Sequence, residues 1–190
     1  MKFNMQTLFS QDTVVAAQNL LGHVLVHKTS EGVISGVINE VEAYTQEDPA
    51  CHTYLGRQTK RNAPMFEEAG TLYIYFVYGM HYCFNIVTEK KGRGCAILIR
   101  SVVPAEGVSL MRKNRGEKVA DSQLCNGPSK LIQALQIPPN LNGQHLNDAS
   151  HGLSIQKGMT PSEIRPTTRI GLSKGKDLPW RFIAKFKDDF

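Results

Sequence analysis

The chain has 190 residues, 41% hydrophobic and 21% charged, which excludes disorder and leaves room for one domain with a sizeable core. Its 22 Lys and Arg against 17 Asp and Glu give a net charge of +5, a moderate basic bias that favours a polyanionic partner without specifying one. No apolar run approaches the ~18 residues of a membrane span, and the four cysteines (Cys51, Cys83, Cys95, Cys125) match no zinc spacing.

Met1 to Asp12 shows no basic stretch leading into an apolar segment, so no signal peptide is expected. The first periodic segment is Thr13 to Leu21, where Val14, Val15, Ala17, Leu20 and Leu21 recur at helical spacing, Asp12 or Thr13 can cap the start and Gly22 can end it. Val24 to His27 and Gly36 to Tyr44 then read as strands separated by a Ser30-Glu31-Gly32 turn. Leu72 to Val77 and Tyr82 to Val87 form a hairpin with its tip near Gly79. Cys95 to Val103 is an apolar strand ended by Pro104, and Ala105 to Asn114 is helical. Pro128 to Gln136 is a further helix, capped by Asn126 and stopped by Pro138-Pro139, and Leu141 to Phe190 holds about three short strands among turns. The pattern predicts an α+β fold, one domain over 1–190 with a curved, mostly antiparallel sheet, flanking helices and a protruding hairpin.

Uninterrupted alternation along Gly36–Tyr44 places Ile38, Glu40, Glu42 and Tyr44 on one face. The plainer reading of that face is a solvated outer surface; the functional one is a carboxylate beside an aromatic wall, as hydrolysis requires. Tyr73, Tyr75, Tyr78 and Tyr82 fall within ten residues, with Tyr78 at the hairpin tip. Either Tyr78 packs back on the core, or it is a wedge of the kind that enters between bases from the minor groove. Gly56-Arg57-Gln58-Thr59-Lys60-Arg61-Asn62 is a polar cationic loop, and Asn126-Gly127-Pro128-Ser129-Lys130 puts free N–H groups and a lysine at a helix start. Arg100, on the face of Ala96, Leu98 and Val102, either snorkels to solvent or pairs with a strand carboxylate. A non-catalytic nucleic-acid-binding module and a metal-dependent nuclease built on Glu40 and Glu42 are the rival readings of these features.

The ordered series Val41-Glu42-Ala43-Tyr44, Ala50-Cys51-His52, Gly56-Arg57-Gln58-Thr59-x-Arg61-Asn62, Gly70-Thr71-Leu72-Tyr73-x-Tyr75, Tyr78-Gly79-Met80 and Leu124-Cys125-x-Gly127-Pro128-Ser129-Lys130-Leu131 resembles the core of the 3-methyladenine (alkyladenine) DNA glycosylase family. The resemblance runs from about Leu21 to about Gln136 and is weak from Asn140 onward. It implies a monofunctional base-excision-repair enzyme, without lyase activity, metal or cofactor, that flips alkylated or deaminated purines from double-stranded DNA and hydrolyses their bond to the sugar. On the same resemblance Glu42 is the general base and Arg100 helps hold Glu42 and the attacking water. Tyr44, His52, Tyr75 and, with them, Tyr73 form the base pocket, while Asn85 rejects normal guanine. Tyr78 is the intercalating wedge with Met80 beside it, and Thr59, Ser129, Lys130 and Gly171 contact the DNA backbone. Such an enzyme is expected to act as a monomer in the cytoplasm, at the nucleoid of a bacterium or in the nucleus of a eukaryote.

Overall fold

The computed structural model describes residues 4–187, so the outermost three residues at each end of the 1–190 domain, including the last of the turn-rich tail, lie outside the described residues. Eight antiparallel strands make one sheet: β1 (Val24–Thr29), β2 (Gly32–Tyr44), β3 (Leu72–Val77), β4 (His81–Val87), β5 (Ala96–Glu106), β6 (Leu153–Gln156), β7 (Glu163–Thr167) and β8 (Arg181–Lys185). The spatial order is β3-β4-β5-β2-β1-β6, and β8 joins β2 to β7. β2 is the organising strand. It carries β5 along one edge, while β1 pairs with its first half and β8 with Glu40–Glu42 on the other. The helices are α1 (Met5–Phe9), α2 (Thr13–Leu20), α3 (Val108–Arg115), α4 (Asp121–Leu124) and α5 (Pro128–Ala134).

Local signals place most elements. The Asp12 carboxylate accepts from the Val14 and Val15 N–H groups and starts α2, whose Ala16, Ala17 and Leu20 are buried against the sheet. Thr29 pairs with Gly32 across a two-residue turn, so β2 begins earlier than the first β-branched run suggests. Three short strands lie beyond Leu141, as expected there.

Pro104 does not end β5, which continues to Glu106. Pro104 sits opposite Gly36 next to a register shift, the setting in which a residue without an N–H is tolerated in a sheet. The helix expected from Ala105 therefore starts at Val108, after Gly107 turns the chain at φ 72. A Cβ there would stand 2.4 Å from the Val33 carbonyl oxygen, so glycine is required both for conformation and for space. Asn126 does not cap α5; Gly127 occupies that position, and the Asn126 side chain bonds Gln123 and Lys130 instead.

The two faces of the sheet differ. One packs with α2 and α5 into the main core, through Leu72 and Ile74 of β3, Phe84 and Ile86 of β4, and Ile97 and Ile99 of β5. The other carries a small cluster of Cys51, Met65, Tyr73, Val87 and Ala96, against which Tyr44 and Tyr75 pack. The uninterrupted alternation expected along β2 fails. Ile34 and Ile38 face the main core, but so do Val41 and Ala43, because the pairing with β5 is irregular between Ile38 and Val41. β5 changes parity at the same place, with Ile97 and Ile99 in the core before Arg100 and Val102 after it. Ile38 thus parts from Glu40, Glu42 and Tyr44, and Val102 parts from Arg100: a bulge re-aims the side chains on either side of it. All four cysteines are free and buried, and burial pushes the thiols of Cys95 and Cys125 up to about 12.

Candidate active site

The face opposite the core opens into a cleft of ≈ 170 Å³. Tyr44, His52, Tyr73, Tyr75, Tyr78, Asn85 and Gly171 all line it, together with Ala50, Cys51, Arg61, Met65, Val77, Ala96 and Leu172. The pleat explains the grouping: Tyr73 and Tyr75 are two apart on β3, and Tyr73 lies opposite Asn85 on β4. The buried Asn85 amide donates to the Tyr73 carbonyl at 2.9 Å, which fixes its side chain against the wall. His52 Nδ1 and the Tyr73 hydroxyl share a hydrogen bond of 2.8 Å, and the His52 ring stands edge-on to Tyr75 at 4.7 Å.

The wall is neutral at physiological pH. Burial, then the Glu42 charge, pushes the Tyr44 phenol far up, and burial lifts Tyr75 likewise and takes Tyr73 to about 12. Burial, then the charge of Arg61, lowers His52 below its ordinary 6.5, although solvent reaches part of that residue. Arg61 lies 5.4 Å from the Tyr75 ring centroid and donates to the Phe76 carbonyl at 2.9 Å.

Charge lies behind the wall. Glu42 is 0% exposed and does not line the cleft. Its Oε2 accepts from the Tyr44 hydroxyl at 2.7 Å, and its Oε1 accepts from the Ile170 N–H at 2.9 Å with Arg100 Nη1 at 3.3 Å. Arg100 Nε also reaches Glu40 at 2.8 Å, and Arg181 Nε reaches the same Glu40 oxygen at 2.6 Å. Burial opposes the Arg100 charge, but Glu42 and Glu40 more than offset it, so Arg100 stays a cation. Of the two readings of Arg100, the ion pair with strand carboxylates is the one the fold adopts.

Tyr78 does not pack back on the core. It is 80% exposed at the hairpin tip, with φ 53 followed by Gly79 at φ 69, and the Met80 N–H returns to the Val77 carbonyl. Both residues lie in the left-handed region, and with Val77 paired to His81 the loop comprises residues 78–80. Across the hairpin Phe76 stacks on Tyr82 at 4.9 Å and stiffens its stem. The Tyr78 hydroxyl leans over the cleft, 4.0 Å from where a Cβ on Gly171 would lie.

The remaining expected residues stand apart from the cleft. Met80 is exposed on the hairpin. Thr59 is on the loop before the 3₁₀ turn Ala63–Phe66, its N–H donating to Asn62 Oδ1 at 2.6 Å. Ser129 and Lys130 line a separate shallow groove with His81 and Arg115, and Lys130 Nζ is held by Asn126 at 2.7 Å.

Several contributors were not singled out from the sequence. Asn62, buried at the base of the 52–62 loop, donates to the carbonyls of His52 and Arg57 at 2.8 and 2.9 Å. Arg169 and Asp48 form a fully buried ion pair beside Tyr44. Asn62 and Arg61 fall inside the quoted loop motif, so a signal was present for them; nothing local marks Arg169 or Asp48. Among the described residues no three His, Cys, Asp or Glu side chains gather as metal ligands, and Glu40 and Glu42 are instead tied to arginines. Nor is any described helix long and apolar enough to cross a membrane.

Comparison with known proteins places the chain in one family. The family model for methylpurine-DNA glycosylase matches residues 7–188, well past the point where the sequence motifs fade. A Francisella tularensis protein provisionally named a 3-methyladenine DNA glycosylase is 46% identical over 186 residues, covering 96% of this chain and 95% of its own. Similarly named proteins of Rubrobacter xylanophilus (51% identical; 87% of this chain and 85% of its own) and Carboxydothermus hydrogenoformans (45%; 93% and 92%) also match.

Proposed function

This chain belongs to the methylpurine-DNA glycosylase family, and from that premise we propose that it is a monofunctional DNA glycosylase acting on damaged purines in duplex DNA. The substrate class is alkylated purines, 3-methyladenine and 7-methylguanine first, with the deaminated base hypoxanthine and ethenoadenine as further members. The observation that carries the reading is the pairing of an aromatic cleft with a buried, triply held carboxylate directly behind it.

A base stacked in a duplex is out of reach, so it is first extruded at a cost of a few kcal/mol, least for a lesion that pairs badly. Stacking against an aromatic side chain returns roughly 1–3 kcal/mol per base. Tyr78, exposed on its turn, fills the gap left in the helix, and Tyr44, His52 and Tyr75 receive the base. A methylated purine carries positive charge, which the electron-rich faces of the phenols attract and a neutral imidazole does not repel. Loss of the base builds positive charge on the sugar, which a carboxylate stabilises while taking a proton from the attacking water. Glu42 is assigned that role, with Arg100 holding it in place. The Tyr44 hydroxyl occupies Glu42 Oε2 in the free protein, so the reading requires it to yield that oxygen to water when the base enters.

The test is incubation, in EDTA, with methylated DNA and with a duplex bearing one hypoxanthine, followed by hot alkali. Release of methylated purine and breaks revealed only by alkali are the expected result. Glu42→Gln should slow release by at least about 100-fold, the lower end of what a general base contributes. Breaks without alkali would point to a lyase or nuclease; duplex binding without base release would leave only a binding module.

A further inference from the structure

Glu42 receives hydrogen bonds from the Ile170 N–H and the Tyr44 hydroxyl, and both donors lie against one side chain, Arg169, which is the neighbour of Ile170 and sits over the Tyr44 ring. Ile170 lies in the long connection between β7 and β8, residues 168–180, which holds no helix or strand yet supplies Gly171 and Leu172 to the cleft. Arg169 anchors it. Its side chain turns inward, 5% exposed, while the next residue, Ile170, is 50% exposed. Nη1 donates to the Ala43 carbonyl at 2.9 Å and to Asp48, and Nη2 donates to Asp48 Oδ1 at 2.9 Å and to the Gly175 carbonyl at 3.1 Å. The guanidinium carbon also sits 4.6 Å from the centroid of the Tyr44 ring and 5.5 Å from that of Trp180. One planar cation thus ties the end of β2, the loop after it and two points of the 168–180 connection into a single unit.

We propose that Arg169, fixed by Asp48, is a positioning residue for base excision: it presents the Ile170 N–H to Glu42 and holds the Tyr44 ring in the cleft wall beside it. The role rests on Glu42 being the reacting carboxylate, as proposed above. A buried ion pair is a poor source of net stability, because desolvation offsets the attraction. What a two-pronged arginine–carboxylate pair does supply is orientation. Here it acts one peptide away from a donor to Glu42 and against the ring of the other donor.

The experiment is single-turnover release of 7-methylguanine from methylated duplex DNA by the full chain and by Arg169→Lys, Glu42→Gln and the double variant, alongside the Kd of each for the same duplex. Misplacement of a reacting group by about 1 Å can cost about 100-fold in rate. Arg169→Lys, which keeps a charge against Asp48 but loses the fork, should therefore release base roughly 10- to 100-fold more slowly with Kd changed less than about threefold. In the Glu42→Gln background the same change should alter the residual rate less than about threefold, because effects relayed through one group are not additive. A residue that only maintains the fold would lower both rates by one factor. If Arg169→Lys does not fold, Asp48→Asn with Arg169→Met removes both charges and is read in the same way. Wild-type speed for the Arg169 variant beside a slow Glu42→Gln, or equal losses in both backgrounds, overturns the positioning role alone. An inactive wild type, or Glu42→Gln as fast as wild type, overturns the assignment of Glu42 and this inference with it.

Discussion

Tyr78→Asn should make the protein more stable and less active. An L residue in the left-handed region costs roughly 1–2 kcal/mol relative to right-handed backbone, and Tyr78 sits there at φ 53 with 80% of its surface exposed. Little packing offsets that cost. Asparagine tolerates the conformation far better. Net stabilisation of about 1 kcal/mol follows, or a rise in Tm of roughly 2–4 °C for a chain of this size. The same change removes the ring proposed to stack in the DNA. At roughly 1–3 kcal/mol for one stacking contact, that is on the order of a 5- to 150-fold loss in extrusion of the damaged base. Thermal melting and single-turnover release from a hypoxanthine duplex, run on the same preparation, read both quantities. A variant that melts several degrees lower would mean that Tyr78 packs on the protein; one that excises at the wild-type rate would mean that the exposed ring has no part in handling DNA.

Two further expectations concern stability. His23 and His52 are both held below 6.5, burial being the first cause in each. With the folded values depressed, the unfolded chain binds more protons in the window just below 6.5, so stability is complete above it and falls as pH drops through it. His23→Asn with His52→Gln should flatten the dependence of the urea midpoint on pH between about 5 and 7; an unchanged slope would refute the depressed values. Asn62→Ala strips the acceptor of the Thr59 N–H and the donor to the His52 and Arg57 carbonyls. The expected loss is about 1–3 kcal/mol, with amide exchange accelerated over 52–62; unaltered exchange there would show that the loop is held by something else.

Most of the fold is legible because its signals are local. Asp12 before an apolar helical period, the Tyr78-Gly79 turn between two aromatic runs and Pro138 after α5 each act within a few residues of the element they bound. Tyr73 and Tyr75, which line the cleft from β3, were legible for a similar reason, since two positions along a strand share a face. Arg169 was not. It meets Asp48 across 121 residues of sequence, from a connection whose composition says only that it is polar and turning. Which side chain of such a segment points inward depends on what it finds there, here a lone buried carboxylate and two aromatic rings.

The parity of β2 was missed for a different reason, because its signal is in the sequence. The buried apolar positions are even in the first half, Ile34 and Ile38, and odd in the second, Val41 and Ala43; β5 switches in the opposite sense, from Ile97 and Ile99 to Val102. A strand with one uninterrupted face cannot satisfy both halves, since a shift of one residue moves every side chain to the other side. If the first half set the parity, Glu40 and Glu42 would enter the main core beside Ile34 and Ile38, where an ionised carboxylate is not tolerated without a counter-charge. The paired irregularity at Asn39–Glu40 and Arg100–Ser101 resolves the conflict by turning both carboxylates, and the arginine that neutralises them, to the opposite face together. The bulge is thus the feature that lets one continuous 13-residue strand be core at its start and hold the two carboxylates behind the cleft wall at its end.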